Sequence, residues 1–157
     1  MKLLKPLEQF ICDSCGQVIE KPEDGWLEWI SERGTRKAHS FRICHHQSKS
    51  PFKGRDGCYV HGATPGNHLH HVTENRIVEL LQFIDVGEKH DPAFTGPHVT
   101  SLREWAELTR RLAVPYYEQV RLSWNKAISD GYFEGANEIS IYTEESLKGL
   151  IEKYAED

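Results

Sequence analysis

Cys12-Asp13-Ser14-Cys15-Gly16 is followed by Cys44-His45-His46 and then by Cys58, and these are all four cysteines of the chain. Structural zinc sites hold the ion with four soft or borderline donors at tetrahedral angles, and thiolate sulfur is the preferred one. Two residues between Cys12 and Cys15 let both sulfurs reach one ion from a single turn. Gly16 lets that turn tighten and aim backbone N–H groups at the thiolates. The spacing predicts one structural zinc ion per chain, organising the N-terminal half. Cys12, Cys15, Cys44 and Cys58 make one complete donor set. Strand alternation opens a second. His39, Phe41, Ile43 and His45 fall on one face of a strand and Ser40, Arg42, Cys44 and His46 on the other, so only one of Cys44 and His45 faces the ion. Three cysteines with His45 in place of Cys44 are therefore the alternative.

The Cys12-x-x-Cys15-Gly16 stretch resembles the knuckle of zinc ribbons and treble-clef fingers, which implies a zinc seat of structural type. Thirteen residues separate Cys44 from Cys58, a departure from the ribbon's close second pair. Two rival chemistries use the same cysteines. A redox Cys-x-x-Cys opens a helix, whose N-terminus lowers the thiol pKa; here Gly16, Val18 and Ile19 spell a turn and a strand. A catalytic zinc keeps an open position beside a general base. His68-x-His70-His71 offers an additional site for such an ion, and His71 just before a helix resembles HNH-type nucleases. The polar positions of that helix are Asn75, Arg76, Glu79 and Gln82, with no histidine at metal spacing. No triad, paired carboxylates or phosphate-cradling loop stands out, so the expectation is a protein that is not an enzyme.

The chain has 157 residues, 38% hydrophobic and 27% charged, which suits a globule of one domain or two small ones. Met1-Lys2-Leu3-Leu4-Lys5-Pro6 is interrupted by charge and proline too early for a signal peptide. No apolar run approaches the ~20 residues of a membrane helix. A reducing, cytoplasmic compartment without membrane contact is expected, where cysteines serve as ligands rather than disulfides. The net charge of −5 is uneven: residues 1–72 carry ten Lys/Arg against eight Asp/Glu, and residues 73–157 nine against sixteen. Positive charge concentrates at Arg33, Arg36, Lys37, Arg42, Lys49, Lys53 and Arg55, a stretch that would meet a polyanion first.

The fold class read from these patterns is α+β: a zinc-stapled antiparallel β module over residues 1–72, then a mainly helical module over 73–157 with one hairpin. Strands are expected around Val18-Ile19, Trp26–Ile30, His39–His46 and Cys58–His61, and a turn at Ala63–Asn67. Ile77, Leu80, Leu81 and Ile84 predict a helix over 74–85 capped by Thr73, followed by an irregular connection over 86–100. Ser101-Leu102-Arg103-Glu104 has the capping-box pattern and opens a helix over 101–112. Helical spacing continues over 116–130 up to Gly131, a natural C-cap. Residues 132–142 read as a β-hairpin, and Thr143 caps a last helix bearing Leu147, Leu150, Ile151 and Tyr154. Two helices, a tight turn and a hairpin resemble a winged helix-turn-helix, which implies DNA contacts from Arg121 and Lys126. The acidic balance of the same residues points instead to a protein partner. Two functions follow as expectations: a DNA-associated regulator, or a zinc-scaffolded adaptor that binds another protein.

Overall fold

The computed structural model describes residues 3–54, 57–59, 65–85 and 97–154. Among these, five strands and six α-helices form an α+β fold. The chain opens on a two-stranded antiparallel ribbon, β1 (Phe10–Ile11) against β2 (Val18–Ile19), with Phe10 opposite Ile19. The cysteine knuckle is the turn between them. A three-stranded antiparallel sheet follows in the order β4-β3-β5, from β3 (Gly25–Ser31), β4 (Ala38–His45) and β5 (Gly66–His68). Aromatic and branched side chains suit β3 and β4 to a half-buried pleat. Their register sets Trp26 opposite Cys44 and Gly25 opposite His45.

The third strand lies where the sequence suggests a turn. Cys58 and Tyr59 form no strand, and residues 60–61 lie outside the described residues. Gly66–His68 instead completes the free edge of β3, with His68 opposite Trp26. Only glycine fits at its start, because a Cβ on Gly66 would overlap the Trp26 indole and stand 2.7 Å from the Leu27 carbonyl oxygen.

The helix expected over 74–85 begins earlier and is broken at Asn75 into α1 (Leu69–Glu74) and α2 (Arg76–Leu81). Thr73 lies inside α1, where its hydroxyl donates to the His70 carbonyl at 2.9 Å, so it is not the cap. α3 (Leu102–Ala113) starts at Ser101, whose hydroxyl accepts from Glu104 N at 3.3 Å. The other half of the capping box is spent elsewhere: the Glu104 carboxylate accepts from Ser40 N at 2.6 Å and ties α3 to β4.

The segment 116–130 is two short helices, α4 (Tyr117–Val120) and α5 (Trp124–Ser129). Gly131 stands at φ +70° just past α5, the left-handed conformation a helix end favours. No hairpin follows among the described residues. Residues 132–139 are turns and Ser140–Tyr142 is one turn of 3₁₀ helix. Here Phe133 and Tyr142 fold back on Trp124, Tyr142 stacking on it at 5.3 Å and 8°. Packing of these aromatics on Trp124 thus takes the place of the expected hairpin, and the winged-helix resemblance loses its defining element. α6 (Glu144–Tyr154) closes the chain, burying Leu147, Leu150 and Tyr154.

Two apolar clusters result. The larger joins Phe10, Ile19, Leu27 and Ile43 of the strands with Leu69, Leu80, Leu108 and Leu112 of the helices, drawing on both sides of the expected 72/73 boundary. The smaller gathers Tyr117, Val120, Ala127, Leu147 and Leu150.

Candidate metal centre

Among the described residues, one group brings potential ligand atoms together: Cys12, Cys15, His45 and Cys58, all within 4.8 Å of one another. Three elements deliver them. The β1–β2 turn supplies Cys12 and Cys15, β4 supplies His45, and Cys58 follows the loop after β4. Within the knuckle, Gly16 N donates to the Cys12 carbonyl and Cys12 N to the Gln17 carbonyl, each at 2.9 Å. Gly16 holds φ +71°, where glycine carries no steric penalty.

The donor set fits a tetrahedral ion. With Zn–S near 2.3 Å and Zn–N near 2.0–2.1 Å, a sulfur and a nitrogen on one zinc stand about 3.5 Å apart. His45 Nδ1 lies 3.4 Å from Cys15 Sγ and 3.8 Å from Cys58 Sγ. The other ring nitrogen, Nε2, is 3.3 Å from the Val18 carbonyl, so an Nε2–H donated there leaves Nδ1 as the ligand atom. The thiolates are supported as well. Ser50 Oγ donates to Cys58 Sγ at 3.1 Å, and the Ser14 hydroxyl donates to the Cys58 carbonyl. Burial pushes the Cys12 thiol up, but backbone N–H groups from Cys15, Ser14 and His45 outweigh it and bring the pKa down to about 7. Cys15 goes the other way, raised to about 12 by burial and by Cys12 beside it. The two knuckle thiols thus differ: Cys12 ionises readily, while Cys15 would need a bound cation to do so. Cys12, His45 and Cys58 are buried and Cys15 is half-buried, so the group is largely enclosed.

Cys44, part of the all-cysteine set, is not in the group. Strand alternation turns it to the opposite face of β4, where its Sγ is 3.7 Å from the Trp26 carbonyl. Burial and then the Glu28 carboxylate hold its thiol well above the ordinary range, which makes it inert packing. All four cysteines are free of disulfides.

A second construction surrounds the knuckle. Asp13, between the two cysteines, accepts from Arg111 Nη1 at 2.7 Å, Arg121 Nη2 at 3.0 Å and Ile43 N at 2.7 Å. Glu118 grips Arg111 in a bidentate pair at 2.7 and 2.9 Å and accepts from Ile11 N at 2.9 Å. Arg111 and Glu118 are each 5% exposed, so the pair is a buried one whose partners satisfy each other. Burial works against both Asp13 ionisation and Arg111 protonation. Asp13 is nonetheless held below the usual carboxylate range by Arg111 and Arg121, and Arg111 above its own by Glu118 and Asp13. No sequence signal announces this network, since Asp13 and Arg111 are 98 positions apart.

The residues expected to touch nucleic acid scatter. Arg121, the first of the pair implied by the winged-helix resemblance, is committed to Asp13 and Glu118 with 19% of its side chain exposed. Lys126 pairs with Asp130 at 3.1 Å and lies over the Tyr154 ring. Arg42 bonds Glu28 at 3.3 Å and Ser14 at 2.7 Å, and Lys49 faces Asp24 at 3.7 Å. Arg33, Arg36 and Lys53 are exposed, Lys37 is half-buried, and Arg55 lies outside the described residues. No helix among the described residues is long and apolar enough to cross a membrane. Comparison of the chain with protein-family models, with curated proteins and with solved structures finds no match in any of the three.

Proposed function

We propose that this is a non-enzymatic adaptor of the reducing cytoplasm in which a structural zinc ion, held by Cys12, Cys15, His45 and Cys58, fixes a protein-binding surface. The observation that carries the reading is the bond from inside the knuckle to the helices, Asp13 to Arg111 and Arg121. Through it, the metal-held turn positions α3 and α4. These helices and β4 border a cleft of about 600 Å³ lined by Phe41, Arg103, Glu107, Arg110, Trp124 and Tyr142. Aromatic anchors flanked by charges of both signs are the composition of a protein interface. A DNA surface needs several cations free for phosphates, and the engagement of Arg121 and Arg42 in ion pairs supports the adaptor over the regulator. A complete four-donor set, three of its members buried, supports a structural ion rather than a catalytic one.

A photo-crosslinking residue at the exposed Asn125, on the cleft, tests the reading in cells against the same residue at Glu152. The expected outcome is a discrete protein adduct from position 125 alone, lost when Cys58→Ser removes the metal. Absence of any adduct from the cleft, together with salt-sensitive association of the purified protein with random duplex DNA, would overturn it.

A further inference from the structure

His45 and His46 are consecutive in the chain, and the pleat sends them to opposite faces. His45 enters the thiolate group. His46 joins a different assembly on the other side, where β3, β4 and β5 bring Cys44, Trp26 and His68 into line across the sheet. His68 is central there. Its ring centroid lies 5.0 Å from that of His46, 5.4 Å from His70 and 6.1 Å from His71, while His70 and His71 are 3.9 Å apart. Trp26 backs the group, edge-on to His68 at 4.9 Å.

Four imidazoles in one patch repel one another when protonated and gain nothing from stacking that one aromatic ring would not supply. They are ligands of the kind that late first-row divalent metals take. Two imidazoles on one tetrahedral ion, each nitrogen about 2.0–2.1 Å from it, have ring centres about 5 Å apart, which is the spacing of His68 from His46 and from His70. Polar groups also stand near ring nitrogens of His46 and His71. His46 Nδ1 accepts from Ser48 N at 3.4 Å and lies 3.0 Å from Ser48 Oγ, which can take an Nδ1–H in its place once Nε2 is the ligand atom. His71 Nδ1 is 3.9 Å from the Glu74 carboxylate. His70 Nδ1 is buried with no hydrogen-bond partner in the protein, the orphaned atom of the cluster.

We propose a second metal site, distinct from the thiolate one and independent of the adaptor reading: a histidine-only seat for Zn2+ or Ni2+ centred on His68, with His46 and His70 or His71 completing it. Among the described residues the thiolate group is the one whose donors already lie within 4.8 Å, so the imidazole site closes on its ion by ring rotation. His71, with 54% of its side chain exposed, is free to make that rotation. An all-nitrogen site of this kind binds more weakly than the buried thiolates and exchanges with the surrounding metal pool.

The test is equilibrium dialysis of the whole protein against Zn2+, with metal counted per chain. The wild type is expected to hold two equivalents, one of which a mild chelator removes while the thiolate-bound one stays. His68→Ala is expected to weaken the second equivalent by about 10–100-fold or more, the cost scale of disturbing a metal's ligand support. The sulfur-to-cobalt absorption of a Co2+-substituted sample should not change in that variant. A wild type that saturates at one equivalent overturns the proposal, as does a folded His68→Ala that retains both. Should His68→Ala not fold, proton NMR of the wild type decides. Zinc added beyond the first equivalent should move the ring signals of His46, His68 and either His70 or His71, and movement confined to other histidines overturns the site.

Discussion

Cys44 and His45 are neighbours in sequence and differ completely in environment, so substitution there discriminates between donor sets. Cys44→Ser should leave the metal stoichiometry unchanged, at a stability cost of about 1–2 kcal/mol for placing a hydroxyl in a fully buried site. His45→Ala and Cys58→Ser should each abolish tight binding in a chelator competition. If Cys44→Ser also lost its metal, the Cys3His assignment would fall. At the same scale, Asp13→Asn keeps the shape of the turn and removes the charge facing Arg111 and Arg121. Leaving Arg111 short of a counter-charge in a buried setting should cost about 3 kcal/mol, measured by urea unfolding of the zinc-loaded protein. A loss below ~0.5 kcal/mol would mean that the network does not couple knuckle to helices.

The strand and helix elements differ in how far they were legible from sequence. β3, β4, α3 and α6 follow from patterning, because each has a long periodic run and a clear start: Ser101 for α3 and Thr143 for α6. Ser101→Ala should therefore lower stability by about 1 kcal/mol, visible as a drop in the urea midpoint with an unchanged slope. The Cys-x-x-Cys-Gly knuckle and the His45 alternative were legible for the same reason, since ligand spacing and strand period are local. Whatever depends on distant partners was hidden. Gly66-Asn67-His68 has no strand composition and pairs because β3 has an open edge and Trp26 leaves room only for glycine. Gly66→Ala should separate the two strands and destabilise by about 1–3 kcal/mol through overpacking, with loss of amide protection at Leu27 and Trp29, whose N–H groups face β5, as the local signature. The expected hairpin over 132–142 failed because Phe133 and Tyr142 pack against Trp124 instead of pairing across a ribbon.

Taken whole, the molecule has its larger core threaded by both the strands and α1 to α3, while the smaller core hangs on α4 through Glu118 and Arg111. Chelation in mild denaturant should consequently abolish the helical circular dichroism and the tryptophan signal in one coincident transition. Separate transitions would mean that residues 73–157 fold alone. The Asp13–Arg111 bond gives that cooperativity a biological meaning. If that transition is single, a chain without a metal in the knuckle would have no partly ordered state to rest in, since Asp13, which with Glu118 neutralises Arg111, lies in the turn the metal would shape. Such chains would be substrates for proteases rather than a reserve waiting for metal. The lifetime of the protein in the cell, and with it its abundance, would then follow zinc supply without any dedicated sensor.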